Sequence, residues 1–298
     1  MNIFTLRTVM DDLMHRYTTR VPDVKKVTAA MVENELISSS RDIENDHIAF
    51  RTLGIPNLGI ASFEKIFMAC GYQKKDYFYF EGKKIDAYWY APPAPNFPRI
   101  FLSELRVSDL SEESQQIIKK YTETIQQDPV DSLDLTDGTA ISAFLHSPLW
   151  EIPTLEDYET LQKESEYAAW VIYNRYYLNH YTISVHNLLN GYDDIYKYVE
   201  FLESIGVKLN DSGGKVKVSP DGGLLQTSTV AQLIEAEFAN EKKHIIAGSY
   251  VEFAERKVLP EFKHLPKEEI TREHRRDGFE TANADKIFES TFSSQTKK

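Results

Sequence analysis

The chain has 298 residues, 42% of them hydrophobic and 12% aromatic, enough to fill one large core or two ordinary ones. Its formal net charge of −12 repels a polyphosphate backbone, and no Lys/Arg stripe with interleaved aromatics reverses that locally, so nucleic acid is not an expected partner. The single cysteine, Cys70, leaves no internal disulfide and no cysteine-rich zinc site, and it points to a reducing, cytoplasmic setting.

In chain order, residues 1–40 show helical periodicity broken by "RVPD", which predicts two short helices. The opening "MNIFTLRTVMDDLMHRY" carries acidic residues and lacks a sustained apolar stretch, so no secretory leader is expected. No apolar run approaches the roughly 18 residues of a membrane helix, and no membrane association is expected. Residues 41–110 read as strand "DHIAFRTLG", helix "SFEKIFMACGY" and strands "DYFYFEG", "IDAYWYAPP" and "RIFLSELRV". Residues 111–175 form a helical connection, with Ser111 and Thr154 as N-caps. Residues 176–260 repeat the first order: strand "NHYTISVHN", helix "DIYKYVEFLESIG", strands "GKVKVSP" and "LLQTSTV", a helical insertion near 230–242, and strand "IIAGSYVEFAERKV". Each first strand opens with Asn or Asp followed by His, and each helix ends in Gly.

These elements describe one α+β domain of two βαβββ units, with added helices and a C-terminal segment over residues 261–298. A βαβββ unit leaves a sheet face open, and two units pairing side by side make a curved mixed sheet with a pocket on its concave side.

Strand side chains alternate faces, so His47, Ala49 and Arg51 share one face. The same count aligns His180 with Thr182, Ser184 and His186, and Tyr250 with Glu252, Ala254 and Arg256. If these faces are concave, two imidazoles and a carboxylate converge, the donor set of a 2-His-1-carboxylate iron site. His180 and His186 lie roughly 20 Å apart along an extended strand, so only one can serve. His180 holds the place that His47 holds in the first unit, which leaves His186 structural or solvent-facing. Read singly, each strand histidine is an ordinary hydrogen-bonded residue, and Glu252 could be an ion-pair partner of Arg256. Glu104 is a fourth ligand, an acceptor supporting a ligand, or the partner of Arg106. Gln226 and Ser228 alternate on one strand face and could hydrogen-bond a substrate. Tyr250, Trp170 and Tyr173 are expected mainly as core.

"DHIAF", "NHYTI" and "YVEFAER" resemble, in order and position, the ligand segments of the 4-hydroxyphenylpyruvate dioxygenase branch of the vicinal oxygen chelate superfamily. More closely, "DHIAFRTLG", "RIFLSELRV", "NHYTISV", "VSPDGGLLQTSTVA", "GSYVEFAER" and "RRDGFETANADKIFESTF" resemble the DUF1338 family, over nearly the whole chain. The resemblance implies Fe(II) held by His47, His180 and Glu252, with Arg51 gripping a substrate carboxylate. It implies a 2-oxo dicarboxylic acid and O2 as substrates, with 2-oxoadipate giving 2-hydroxyglutarate and carbon dioxide. Characterised members are longer, so the loops completing the pocket are expected to differ. Arg51 could instead pair with Asp46 or Glu252. The rival functions are isomerase, lyase or hydrolase chemistry with another divalent metal, favoured if Glu104 is a ligand, and a non-catalytic small-molecule-binding protein. The oligomeric state is not legible.

Overall fold

The computed structural model describes residues 3–298. Its regular elements are α1 (Ile3–Arg20), α2 (Pro22–Glu33), β1 (Asn45–Leu53), α3 (Ile60–Ala69), β2 (Gln73–Phe80), β3 (Ile85–Ala91), β4 (Arg99–Leu105), α4 (Glu112–Thr122), α5 (Gly138–Leu145), α6 (Leu155–Glu164), α7 (Glu166–Asn174), β5 (His180–Ser184), α8 (Ile195–Ser204), β6 (Lys217–Val218), β7 (Leu224–Ser228), β8 (Leu233–Glu237), β9 (Lys243–Ala247), β10 (Tyr250–Arg256), α9 (Thr281–Phe288) and α10 (Ser293–Thr296).

Local chemistry sets many of these boundaries. Pro22, with no N–H to donate, starts α2 and separates it from α1. The Ser111 and Thr154 hydroxyls accept from Ser114 N–H and Asp157 N–H and so cap α4 and α6. α1 buries Leu6, Val9, Met10, Leu13 and Tyr17 along one face, as its spacing requires.

Eight strands form one mixed sheet in the order β2-β3-β4-β1-β5-β10-β7-β6. The two halves have the same plan. In the first, β1 runs parallel to β4; in the second, β5 runs parallel to β10. The units join through antiparallel β1 and β5, with Ala49 opposite His180 and His47 opposite Thr182. β1 is buried almost end to end. Its Phe50 packs against Phe63 and Phe67 of α3, and its other face looks into the concave side. That side is roofed by Phe279 and by Ala284, Ile287 and Phe288 of α9.

Two expectations are corrected. The segment near 230–242 is not helical: β8 and β9 pair as an antiparallel hairpin outside the main sheet. "LIEAEF" satisfies a helical spacing and a period of two at once. The period of two prevails because Ala236 and Phe238 turn inward, and Phe238 packs against Tyr158 and Tyr173. The stretch "IIAGSYVEFAERKV" is likewise not one strand but β9 and β10, divided at Gly248, whose carbonyl accepts from Trp170 Nε1.

His186 is buried and not solvent-facing, and its Nδ1 accepts the Arg256 backbone N–H at 3.2 Å. Burial, with Arg275 adding to it, pushes its pKa from 6.5 down to about 3. Between those values the unfolded chain binds a proton that the folded chain refuses, so this group lowers stability as the pH falls. His186→Asn retains an acceptor without titrating. Urea unfolding should show the variant losing about 2 kcal/mol less than the parent between pH 7 and pH 5; equal losses would contradict a neutral buried His186.

Candidate metal centre

Three adjacent strands each deliver one ligand-type side chain to the concave face: His47 from β1, His180 from β5 and Glu252 from β10. One ligand atom from each lies within 4.8 Å of the others. Glu252 Oε2 is 3.2 Å from His180 Nε2, and Oε1 is 3.5 Å from His47 Nε2. The rings stand nearly perpendicular, with centroids 5.4 Å apart. All three residues are buried.

Each ligand is held from behind. Asp46 Oδ1 accepts from His47 Nδ1 at 2.8 Å, which leaves Nε2 to face Glu252 and, at 3.0 Å, the Thr182 hydroxyl. Asp46 is itself gripped by Arg256, whose Nε and Nη2 donate to its two oxygens at 2.6 and 2.9 Å, and by Arg99 at 3.3 Å. Burial alone would raise the Asp46 pKa, but Arg256 and Arg99 hold it well below the carboxylate range. Burial would likewise lower the pKa of His47, yet Glu252 and Asp46 together raise it. His180 Nδ1 has Asn179 Oδ1 at 3.0 Å, and its ring stacks on Tyr250. Burial, then His47 and Arg51, push its pKa well down, so this imidazole stays neutral with Nε2 free to ligate. Gln226 Nε2 donates to Glu252 Oε1 at 2.6 Å, and Gln226 Oε1 accepts from Asn283 of α9 at 3.0 Å. Two neutral-capable imidazoles, one carboxylate and oriented outer partners fit a divalent cation of the first transition row.

Arg51 lines the same cavity, one face-repeat beyond Ala49. It pairs with neither Asp46 nor Glu252. Its Nη1 and Nη2 donate to Thr291 Oγ1 and the Phe288 carbonyl, and its guanidinium sits 5.1 to 5.4 Å from the ring centres of Tyr167, Trp170 and Phe288. Arg51 Nε, Tyr250 Oη and Asn179 Nδ2 are buried without a hydrogen-bond partner, and all three residues line the cavity.

A family model described as 2-oxoadipate dioxygenase/decarboxylase matches residues 9–267. The chain belongs to the 2-oxoadipate dioxygenase/decarboxylase family. The chloroplastic 2-oxoadipate dioxygenase/decarboxylase of Arabidopsis thaliana is 44% identical over 305 residues, spanning 98% of this chain and 79% of the plant protein. The solved structure of hydroxyglutarate synthase from Oryza sativa in complex with 2-oxoadipate superposes with a TM-score of 0.90 at 40% identity, covering 100% of this chain and 96% of that one. A putative glyoxalase superfamily protein from Ralstonia eutropha shares the fold, with a TM-score of 0.70 at 22% identity over 90% of this chain and 83% of its own.

Within this 2-oxoadipate dioxygenase/decarboxylase fold, the remaining expected residues separate. Gln226 reaches the cavity but spends its amide on Glu252 and Asn283. Ser228 shares the concave face, yet its hydroxyl pairs with Ser290 Oγ at 2.8 Å away from the cavity lining. Glu104 is corrected outright as a ligand or ligand support. It points from β4 to the opposite face, where Oε2 accepts the Ile60 N–H at 2.7 Å and caps α3. A Cβ on Gly59 would strike this carboxylate. Arg106 pairs with Asp109 and Asp86 instead. Arg256 belongs to Asp46 and not to Glu252. The sequence analysis weighs Asp46 only as a partner of Arg51, not as the support of His47, and assigns no role to Asn179, Phe279 or Asn283. The Asn/Asp before each ligand histidine was the available signal.

Glu104→Ala should lower stability in thermal or urea unfolding by about 1–2 kcal/mol through the lost cap. Metal affinity should stay within about twofold of the parent, because no ligand contact is removed; loss of metal binding would return Glu104 to the site.

Proposed function

We propose that this chain is an Fe(II)-dependent dioxygenase/decarboxylase that converts 2-oxoadipate and O2 to 2-hydroxyglutarate and carbon dioxide. The observation that carries the reading is a buried guanidinium, Arg51, without a carboxylate partner among the described residues, lining one cavity with His47, His180 and Glu252. A buried cation is costly when unpaired, so a site that keeps one beside a ligand triad suits a substrate bearing a carboxylate at each end. Membership in the family, and its relative solved with 2-oxoadipate, support the same substrate.

Iron(II), when bound, would bind the 2-oxo acid and activate dioxygen, while the electrons that reduce O2 come from the 2-oxo acid itself, so the overall reaction leaves the metal unchanged. The protein's residues do the rest. His47, His180 and Glu252 hold the cation, with Asp46, Asn179 and Gln226 fixing their orientation. Arg51 grips the far carboxylate and so selects dicarboxylic acids. Phe101, Phe279, Ile287 and Phe288 wall the cavity with apolar surface that excludes bulk water. In the substrate-free protein the Thr291 hydroxyl and the Phe288 carbonyl occupy the Arg51 donors, and a substrate carboxylate would compete for them.

The isomerase, lyase or hydrolase alternative with another divalent metal gains support only if Glu104 is a ligand, and Glu104 faces the other side of the sheet. No helix among the described residues is long and apolar enough to cross a membrane. The buried lone Cys70 favours a reducing compartment, and the cytoplasmic assignment is the narrower part of this proposal.

The test is anaerobic loading with Fe(II), addition of 2-oxoadipate and admission of O2. Oxygen consumed, carbon dioxide released and 2-hydroxyglutarate formed should stand in equal amounts. Stoichiometric metal binding without oxygen uptake on any 2-oxo acid would sink the proposal. Arg51→Ala should raise KM for 2-oxoadipate by about 10- to 100-fold, the worth of charged hydrogen bonds. The monocarboxylic 2-oxohexanoate should be affected far less; equal losses would give Arg51 another role.

A further inference from the structure

The two units each place an Asn or Asp immediately before a ligand histidine, and in both the side-chain oxygen meets ring Nδ1: Asp46 at His47 (2.8 Å) and Asn179 at His180 (3.0 Å). The pairs differ at the second atom of the Asx side chain. Asp46 Oδ2 is saturated by Arg256 Nε and Arg99 Nη1. Asn179 Nδ2, equally buried, donates to nothing, and Asn179 lines the cavity. A buried amide donor left without an acceptor is destabilising, and a site retains one when a ligand supplies the acceptor.

The orientation of this amide follows from chemistry. His180 ligates through Nε2, the nitrogen facing Glu252, so Nδ1 carries the ring proton and Asn179 must present its carbonyl oxygen there. The NH2 group is thereby the atom left over. The backbone holds it in place, because Asn179 N–H donates to the Ala49 carbonyl, beside the seam between the two units.

We propose that Asn179 is a substrate-binding residue whose Nδ2 donates to an oxygen of the bound 2-oxo acid at its metal-chelating end, while its Oδ1 orients His180. The inference rests on the proposed function and deepens it: one neutral amide ties ligand geometry to substrate recognition. Asp at this position in the second unit would keep the first task and lose the second. That is the physical content of the Asp/Asn difference between the two units.

The experiment uses Asn179→Asp and Asn179→Ala in the full chain, with Fe(II) affinity and 2-oxo acid binding to the Fe(II)-loaded protein both measured by anaerobic calorimetry. Asn179→Asp keeps an acceptor for Nδ1, so Fe(II) affinity should stay within about threefold, while 2-oxoadipate should bind about 10- to 100-fold more weakly. Asn179→Ala should weaken Fe(II) about 10-fold or more. At saturating metal it should also weaken 2-oxoadipate, showing that the loss does not arise from the new charge of the aspartate. The loss should be the same for 2-oxohexanoate. A loss confined to the dicarboxylic acid would keep the donor but move its acceptor to the far carboxylate, overturning the assignment to the chelating end. Substrate binding unchanged in both variants overturns the inference and leaves Asn179 as a support for His180 alone. A parent protein that binds Fe(II) but no 2-oxo acid removes the proposed function itself, and this inference with it.

Discussion

One fully buried carboxylate, that of Asp46, ties together parts of the chain that are remote in sequence. It orients His47 on β1, receives Arg256 from β10 and Arg99 from β4, and through those arginines reaches the C-terminal segment. Arg256 Nη1 donates to the Gly278 carbonyl and Arg99 Nε to Asp277, immediately before Phe279 packs edge-on against the His47 ring. Buried charges are tolerated when their oxygens and N–H groups are answered, as they are around Asp46. The same bonds that fix a ligand's tautomer therefore fix where the roof of the cavity begins.

The sheet faces are readable from the sequence because strand alternation is a strict period of two, and the repeat of "DHIAF" in "NHYTI" makes His47 and His180 equivalent positions of the two units. What alternation cannot give is which strands lie side by side. The parallel pairing of β1 with β4 puts Phe101 opposite Ala49, just as β5 with β10 puts Glu252 opposite Thr182. Counted from the ligand histidine, Phe101 is thus the first unit's counterpart of Glu252, and Glu104 lies three residues on, turned to the other face. A linear match of carboxylates between the repeats selected the wrong residue because it had no pairing register to use.

The C-terminal segment shows a second kind of limit. Its sequence advertises kinship but no location, since Phe279 and a short helix bearing Ile287 and Phe288 carry no information about which surface they will cover. The hairpin of β8 and β9 was ambiguous for a different reason, its apolar residues obeying two periods at once. Both gaps are tertiary: they close only when a distant surface, the sheet concavity in one case and Tyr158 with Tyr173 in the other, chooses among locally equal options.

The order of residues along the chain separates the ligands from their cover. His47, His180 and Glu252 all precede Phe279, so the strands that carry the ligands and the segment that roofs them are separate stretches of the chain. The cover of the cavity is thus a segment that adds no strand to the sheet, fastened over the ligands by side-chain bonds such as Asn283 to Gln226 and Arg51 to the Phe288 carbonyl.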